Sequence, residues 1–142
     1  MSDLDIDRLL SALDNEDNET MIGLTFEKIS ASKNNVLQRL HLPSSDLKKM
    51  HSKLKKYRFI DELPELKYGS YIRWIPLKDP EKIRLTNGGV VVEMKVCDEG
   101  IVVTCRNNMH RMFSIKLQEN LVFQKLSEQE SVLLSALSFL EK

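Results

Sequence analysis

The chain has 142 residues, 42% of them hydrophobic and 30% charged, with 21 basic and 21 acidic side chains. That suits one domain with a core of useful size, and no apolar run approaches the roughly 18 residues that a membrane span needs. The opening MSDLDIDRLL is acidic and lacks the basic and apolar stretches of a secretory leader, so an intracellular setting is expected.

The neutral total hides a segregated chain. Residues 1–20 hold seven acids and one arginine, residues 21–58 hold nine Lys/Arg against two acids, and the remainder is nearly balanced. Residues 1–16 read as an acidic arm, with Leu4, Ile6, Leu9, Leu10 and Leu13 spaced for a short amphipathic helix. From Asn18 to Leu40 the residues Ile22, Phe26, Ile29, Val36 and Leu40 make a helical stripe that Lys33 interrupts. Pro43 breaks it, Ser44 or Ser45 is placed to cap, and Asp46–Phe59 reads as a second helix with Leu47, Met50, Leu54 and Tyr57 on one face. Residues 17–62 are therefore expected as a helical hairpin.

Beyond Pro64 and Gly69 the period falls to two. Strands are expected over Tyr71–Leu77, Ile83–Leu85, Val90–Cys97, Ile101–Arg106, His110–Leu117 and Leu121–Lys125. Their turns fall at Thr86–Gly89, Asp98–Gly100 and Asn107–Asn108. Five or six short antiparallel strands predict a small SH3-like barrel. Ser127-Glu128-Gln129-Glu130 reads as a capping box that opens a C-terminal helix with a wide apolar face, Val132 to Leu140. The expected architecture is α+β: helical hairpin, barrel over 63–142, and the last helix packed on it.

Little of this is catalytic chemistry. The three histidines His41, His51 and His110 are dispersed, and no HExxH, CxxC, nucleophile elbow or phosphate-cradling glycine loop occurs. Cys97 and Cys105 flank a hairpin turn and read as free thiols. Cys105 and His110, close across the Asn107–Asn108 turn, are the nearest approach to a nucleophile and base, and a structural role is favoured. The chain reads as not an enzyme, with no cofactor and no metal site.

Binding chemistry is better supplied. In LKKMHSKLKKYR, Lys48, Lys49, Lys53, Lys55, Lys56 and Arg58 surround the face opposite Leu47 and Leu54, a cluster able to meet several phosphates. Arg73, Arg106 and Arg111, with Arg84 and Lys116 nearby, are expected on a basic barrel rim. Trp74 reads as a packing residue, with an Arg73–Trp74 stacking platform as the alternative.

The runs LKYGSYIRWIPL, LTNGGVVVEMKV, GIVVTCRNN and LVFQKLSEQESVLLSAL resemble a small uncharacterised family of nucleocytoplasmic large DNA viruses, over roughly residues 60 to 140. The resemblance implies a host cytoplasm or nucleus, or a virion, and a DNA or capsid partner. It supplies no site residues.

The expected function is a non-catalytic accessory protein that binds DNA or RNA without sequence specificity through the basic helix and barrel rim. The alternative is a structural or scaffolding subunit, or a homodimer. It would make its contacts through the stripes Ile22/Phe26/Ile29/Val36/Leu40 and Val132/Leu133/Ala136/Leu137/Leu140.

Overall fold

The computed structural model describes residues 3–15, 18, 21 and 23–140. The acidic segment forms helix α1, Asp3–Asp14, with Leu9 and Ala12 turned inward and Ile6, Leu10 and Leu13 exposed. Ile22, which opened the expected stripe, lies outside the described residues. Helix α2, Phe26–Gln38, starts later than the stripe implied. Thr25 takes the N-cap in an extended conformation, and its hydroxyl accepts the Lys28 N–H at 3.1 Å. Its buried face is Ile29, Lys33, Val36 and Leu37.

Helix α3 spans Ser44–Lys53, and its N-cap is Pro43 rather than a serine. The helix expected to run through Phe59 stops here. Leu54 to Lys56 turn the chain, and Tyr57–Ile60 becomes strand β1. The reason is long-range: Tyr57, Arg58, Phe59 and Ile60 pair with Lys125, Gln124, Phe123 and Val122 of the last strand. Alternate burial of Arg58 and Ile60 outweighs the local helical spacing.

The remaining strands are β2 Tyr71–Pro76, β3 Gly89–Cys97, β4 Gly100–Arg106, β5 Met112–Lys116 and β6 Asn120–Lys125. They form one six-stranded antiparallel sheet in the order β1-β6-β2-β3-β4-β5. The expected SH3-like barrel is not formed, because the outer strands β1 and β5 do not meet. Two features keep the sheet open. β2 and β3 share only the pairs Tyr71↔Val90 and Ile72↔Gly89, so the sheet divides into a β1-β6-β2 leaf and a β3-β4-β5 leaf. β1 also packs against α2, and no sixth pairing joins it to β5.

Three further strand expectations change. Ile83–Leu85 is irregular, because Thr86 occupies the ladder position beside β2. Its N–H donates to the Trp74 carbonyl at 3.0 Å and its hydroxyl accepts the Trp74 N–H at 3.2 Å. Val92 is an extra residue where the β3–β4 register shifts between Val91 and Glu93, so Val91 and Met94 face inward while Val92 does not. Arg106 pairs with Met112, making 107–111 a five-residue loop with His110 at φ 60° rather than a two-residue turn. Gly88 sits at φ 84°, and a Cβ there would collide with the Ile72 carbonyl.

Helix α4, Glu128–Leu140, opens with the expected capping box. Ser127 Oγ accepts the Glu130 N–H at 3.1 Å, and Glu130 Oε1 accepts the Ser127 N–H at 2.9 Å. Leu133 and Leu134 are buried, but Phe139 and Leu140 are 77% exposed, so the far end of its apolar face is uncovered.

Three apolar clusters result. Ile60, Ile72, Trp74, Val91, Val103, Cys105 and Val122 fill the concave interior between the leaves. Ile75 and Phe123, on the opposite face of the first leaf, pack beneath Val36, Leu37, Met50 and Leu54. Ala12, Met21, Ile29, Leu133 and Leu134 join α1, α2 and α4.

Buried polar groups fasten the clusters to each other. The Gln124 side chain accepts from Lys67 N at 2.8 Å and donates to the Glu65 carbonyl at 3.0 Å. Arg58 pairs with Glu65, and Lys67 with Glu130, each at 3.4 Å. Because such groups cost stability unless matched, this network fixes one arrangement of β1, β6 and α4. No helix among the described residues is long and apolar enough to cross a membrane.

Candidate functional site

The lysine surface is built from inside. Lys33 is buried on α2. Its ammonium donates to the carbonyl of Leu54 at 2.9 Å and to that of Lys55 at 3.5 Å, beyond the C-terminal end of α3. Desolvation holds its pKa below the ordinary 10.5. This buried cation therefore clamps the turn on which the exposed cations stand.

Lys48, Lys49 and Lys53 lie on the outer face of α3, opposite Leu47 and Met50, and Lys55 and Lys56 follow in the turn. All five are exposed, and none forms an ion pair with a described residue. Lys49 and Lys53, one helical turn apart, repel each other without a counter-charge among the described residues. The acidic arm does not supply it through any described ion pair. α1 is held against α4, with Arg8 3.7 Å from Glu128 and the Asn15 amide donating to Gln129 at 2.7 Å.

The sixth expected cation belongs elsewhere. Arg58 is 2% exposed because strand pairing turns its side chain inward, to Glu65 and to the Met21 sulfur at 3.1 Å. It does not reach the lysine surface. Arg73 is half-buried and donates from Nε to the Thr86 carbonyl at 2.8 Å, which holds the 84–88 segment beside β2. Arg106 and Arg111 are exposed and bracket the 107–111 loop, while Lys116 faces Glu99 and Glu119. The rim expected from a closed barrel is replaced by the two ends of one loop.

That loop forms a wall of a groove of about 500 Å³ where β2 and β3 splay apart. Tyr71 and Trp74 of β2 and Phe113 of β5 supply its aromatic lining. Arg84, Asn87, Asn107, Asn108 and Met109 supply the rest. Trp74 is 7% exposed, so it is a core residue that also lines the groove. Asn107 Oδ1 accepts the Met109 and Arg111 N–H groups at 2.9 and 3.0 Å, which folds the loop. Tyr71 is anchored through its hydroxyl to the Asn87 carbonyl. Sequence reading missed this assembly; the exposed Met109 and Phe113 flanking a strand end were its visible trace.

Cys105 and His110 do not form a dyad. Cys105 is buried opposite Val91 and Phe113, and burial pushes its thiol up to about 11, while His110 stands exposed in the loop. Among the described residues no cluster of His, Cys, Asp or Glu has the makings of a metal site.

The surfaces thus belong to an α+β protein with an open, bent antiparallel sheet. No protein-family model, curated protein or solved structure matches the chain.

Proposed function

We propose that the protein is a non-catalytic nucleic-acid-binding protein that engages the phosphate backbone through Lys48, Lys49, Lys53, Lys55 and Lys56. The observation that carries this reading is five exposed lysines within nine residues, on a rigidly held helix end, without a described acidic partner. Point charges on flexible stems fit phosphates without selecting bases, so binding is sequence-tolerant.

The test is a salt titration against a labelled random-sequence duplex. If each lysine neutralises one phosphate, log affinity falls against log salt with a slope of about −4 to −5. The combined Lys53→Glu, Lys55→Glu, Lys56→Glu variant lowers the steepness by about three and weakens binding at every salt concentration. Absence of binding at low salt overturns the reading.

A second reading, a structural subunit in a virion or assembly, is favoured by a different observation. Ile6, Leu10 and Leu13 on α1 and Phe139 and Leu140 on α4 are exposed apolar side chains. The mass in solution, with and without Leu10→Glu, tests it: a dimer or larger species that the substitution dissociates supports a subunit contact.

A further inference from the structure

We propose that the groove between Trp74 and Phe113 receives one unpaired nucleobase, which gives the protein a preference for single-stranded over duplex nucleic acid. The inference rests on the nucleic-acid reading of the lysine surface and adds a second site of different chemistry. A nucleotide presents a flat apolar disc, a hydrogen-bonding edge and an anionic tether, and the groove has a counterpart for each. Tyr71 and Phe113 offer accessible aromatic surface beside the largely buried Trp74, and any base stacks on such a surface. Asn87 and Asn108 bring amides that both donate and accept, and so meet a base edge without demanding one base.

The charge distribution decides between a nucleotide and an apolar peptide side chain. Among the described residues no Asp or Glu lines the groove, and Arg84 at its margin is exposed without an ion pair to any of them. Arg106 and Arg111 stand at the two ends of the loop wall. An apolar anchor would use the aromatic lining and leave these cations uncompensated, whereas a phosphate-linked base uses both. A base in a duplex is stacked on both faces and reaches such a groove only after unpairing. Hence the preference for single strands.

Trp74 is the only tryptophan, so all tryptophan emission comes from the core residue that lines the groove. The full chain is titrated with a short oligothymidylate and with a duplex of equal length, following Trp74 emission and the anisotropy of the labelled nucleic acid in parallel. The expected result is that the single strand changes the emission and binds about tenfold more tightly than the duplex. Phe113→Ala, at a 44% exposed edge position, then removes most of that preference, and Arg84→Glu does the same without altering the circular dichroism. Met112→Ala, at an exposed neighbour outside the groove, leaves the preference in place.

Equal binding of both forms with unchanged emission overturns the groove site and leaves the lysine reading standing. No binding of either form at low salt overturns both. Emission that responds to N-acetylphenylalaninamide but not to thymidine monophosphate also overturns the inference, by assigning the groove to a peptide side chain.

Discussion

In the β1-β6-β2 leaf, Ile75 and Phe123 are sealed beneath α2 and α3 while Ile72, Trp74 and Val122 face the concave interior. In the β3-β4-β5 leaf, Val91, Val103 and Cys105 face that same interior, but Val92, Arg106 and Ser114 stand exposed. The first leaf is covered on both sides and the second on one. A polar group in the first must therefore be matched inside the protein, as Arg58 and Gln124 are. A polar or aromatic group at the margin of the second is free to meet a ligand. Arg58 was expected among the leading phosphate contacts and Arg106 behind it; which leaf each one occupies separates their roles.

Two phenylalanines put this contrast to its hardest test. Phe123→Ala empties a fully buried position and is expected to cost about 4 kcal/mol, whereas Phe113→Ala on the other leaf costs about 1 kcal/mol or less. Urea unfolding midpoints measure both, and equal losses would break the comparison. The inner face of the second leaf is probed by thiol chemistry. With its pKa raised from 9.0 to about 11, Cys105 holds roughly 100-fold less thiolate below pH 9 than an unshifted thiol. Ellman's reagent should label the exposed Cys97 in the native protein and reach Cys105 only on unfolding; equal labelling rates would mean that this leaf is not sealed.

A smaller effect tests the internal matching of charges. Glu130→Ala removes a helix cap and the buried partner of Lys67, an expected loss of about 2 kcal/mol. Glu128→Ala, two residues away and largely exposed, should change stability by less than about 0.5 kcal/mol. The smallest effect is in the pH profile. Lys33 has a folded-state pKa below 10.5, so between those two values the unfolded chain binds more protons and stability rises with pH. The wild type minus Lys33→Met difference in unfolding free energy should be flat below that window and increase through it. A difference that falls there would place the ammonium in a more favourable setting than burial allows.

Local chemistry was legible in the sequence where its cause was local. The capping box at Ser127 and Glu130, the hairpin around Asp98 and Glu99, and the helical spacing of Ile29 and Val36 all depend on near neighbours, although Phe26 of the same stripe is exposed and Leu37, outside it, is buried. The failures share a different origin. Tyr57 continues the helical spacing of Leu47, Met50 and Leu54, and nothing nearby reveals that Phe59, two residues later, pairs with Phe123, 64 residues further on. The extra residue at Val92 shifts the inward parity of half a strand without a glycine or proline to mark it. The lysine candidates were found because solvent-facing charge needs no partner. The groove was not, since Tyr71, Arg84, Asn108 and Phe113 converge only through the splay of β2 from β3.

The position of β6 has a consequence for how the chain is made. It is the last strand in sequence, yet it lies between β1 and β2. A ribosome-bound chain that has emerged only as far as residue 119 has no partner strand for β1 and no Phe123 to place under α2 and α3. The β3-β4 and β4-β5 hairpins close over short loops and are complete by then. The N-terminal helices are synthesised first, but their docking site on the sheet is among the last parts of the protein to exist.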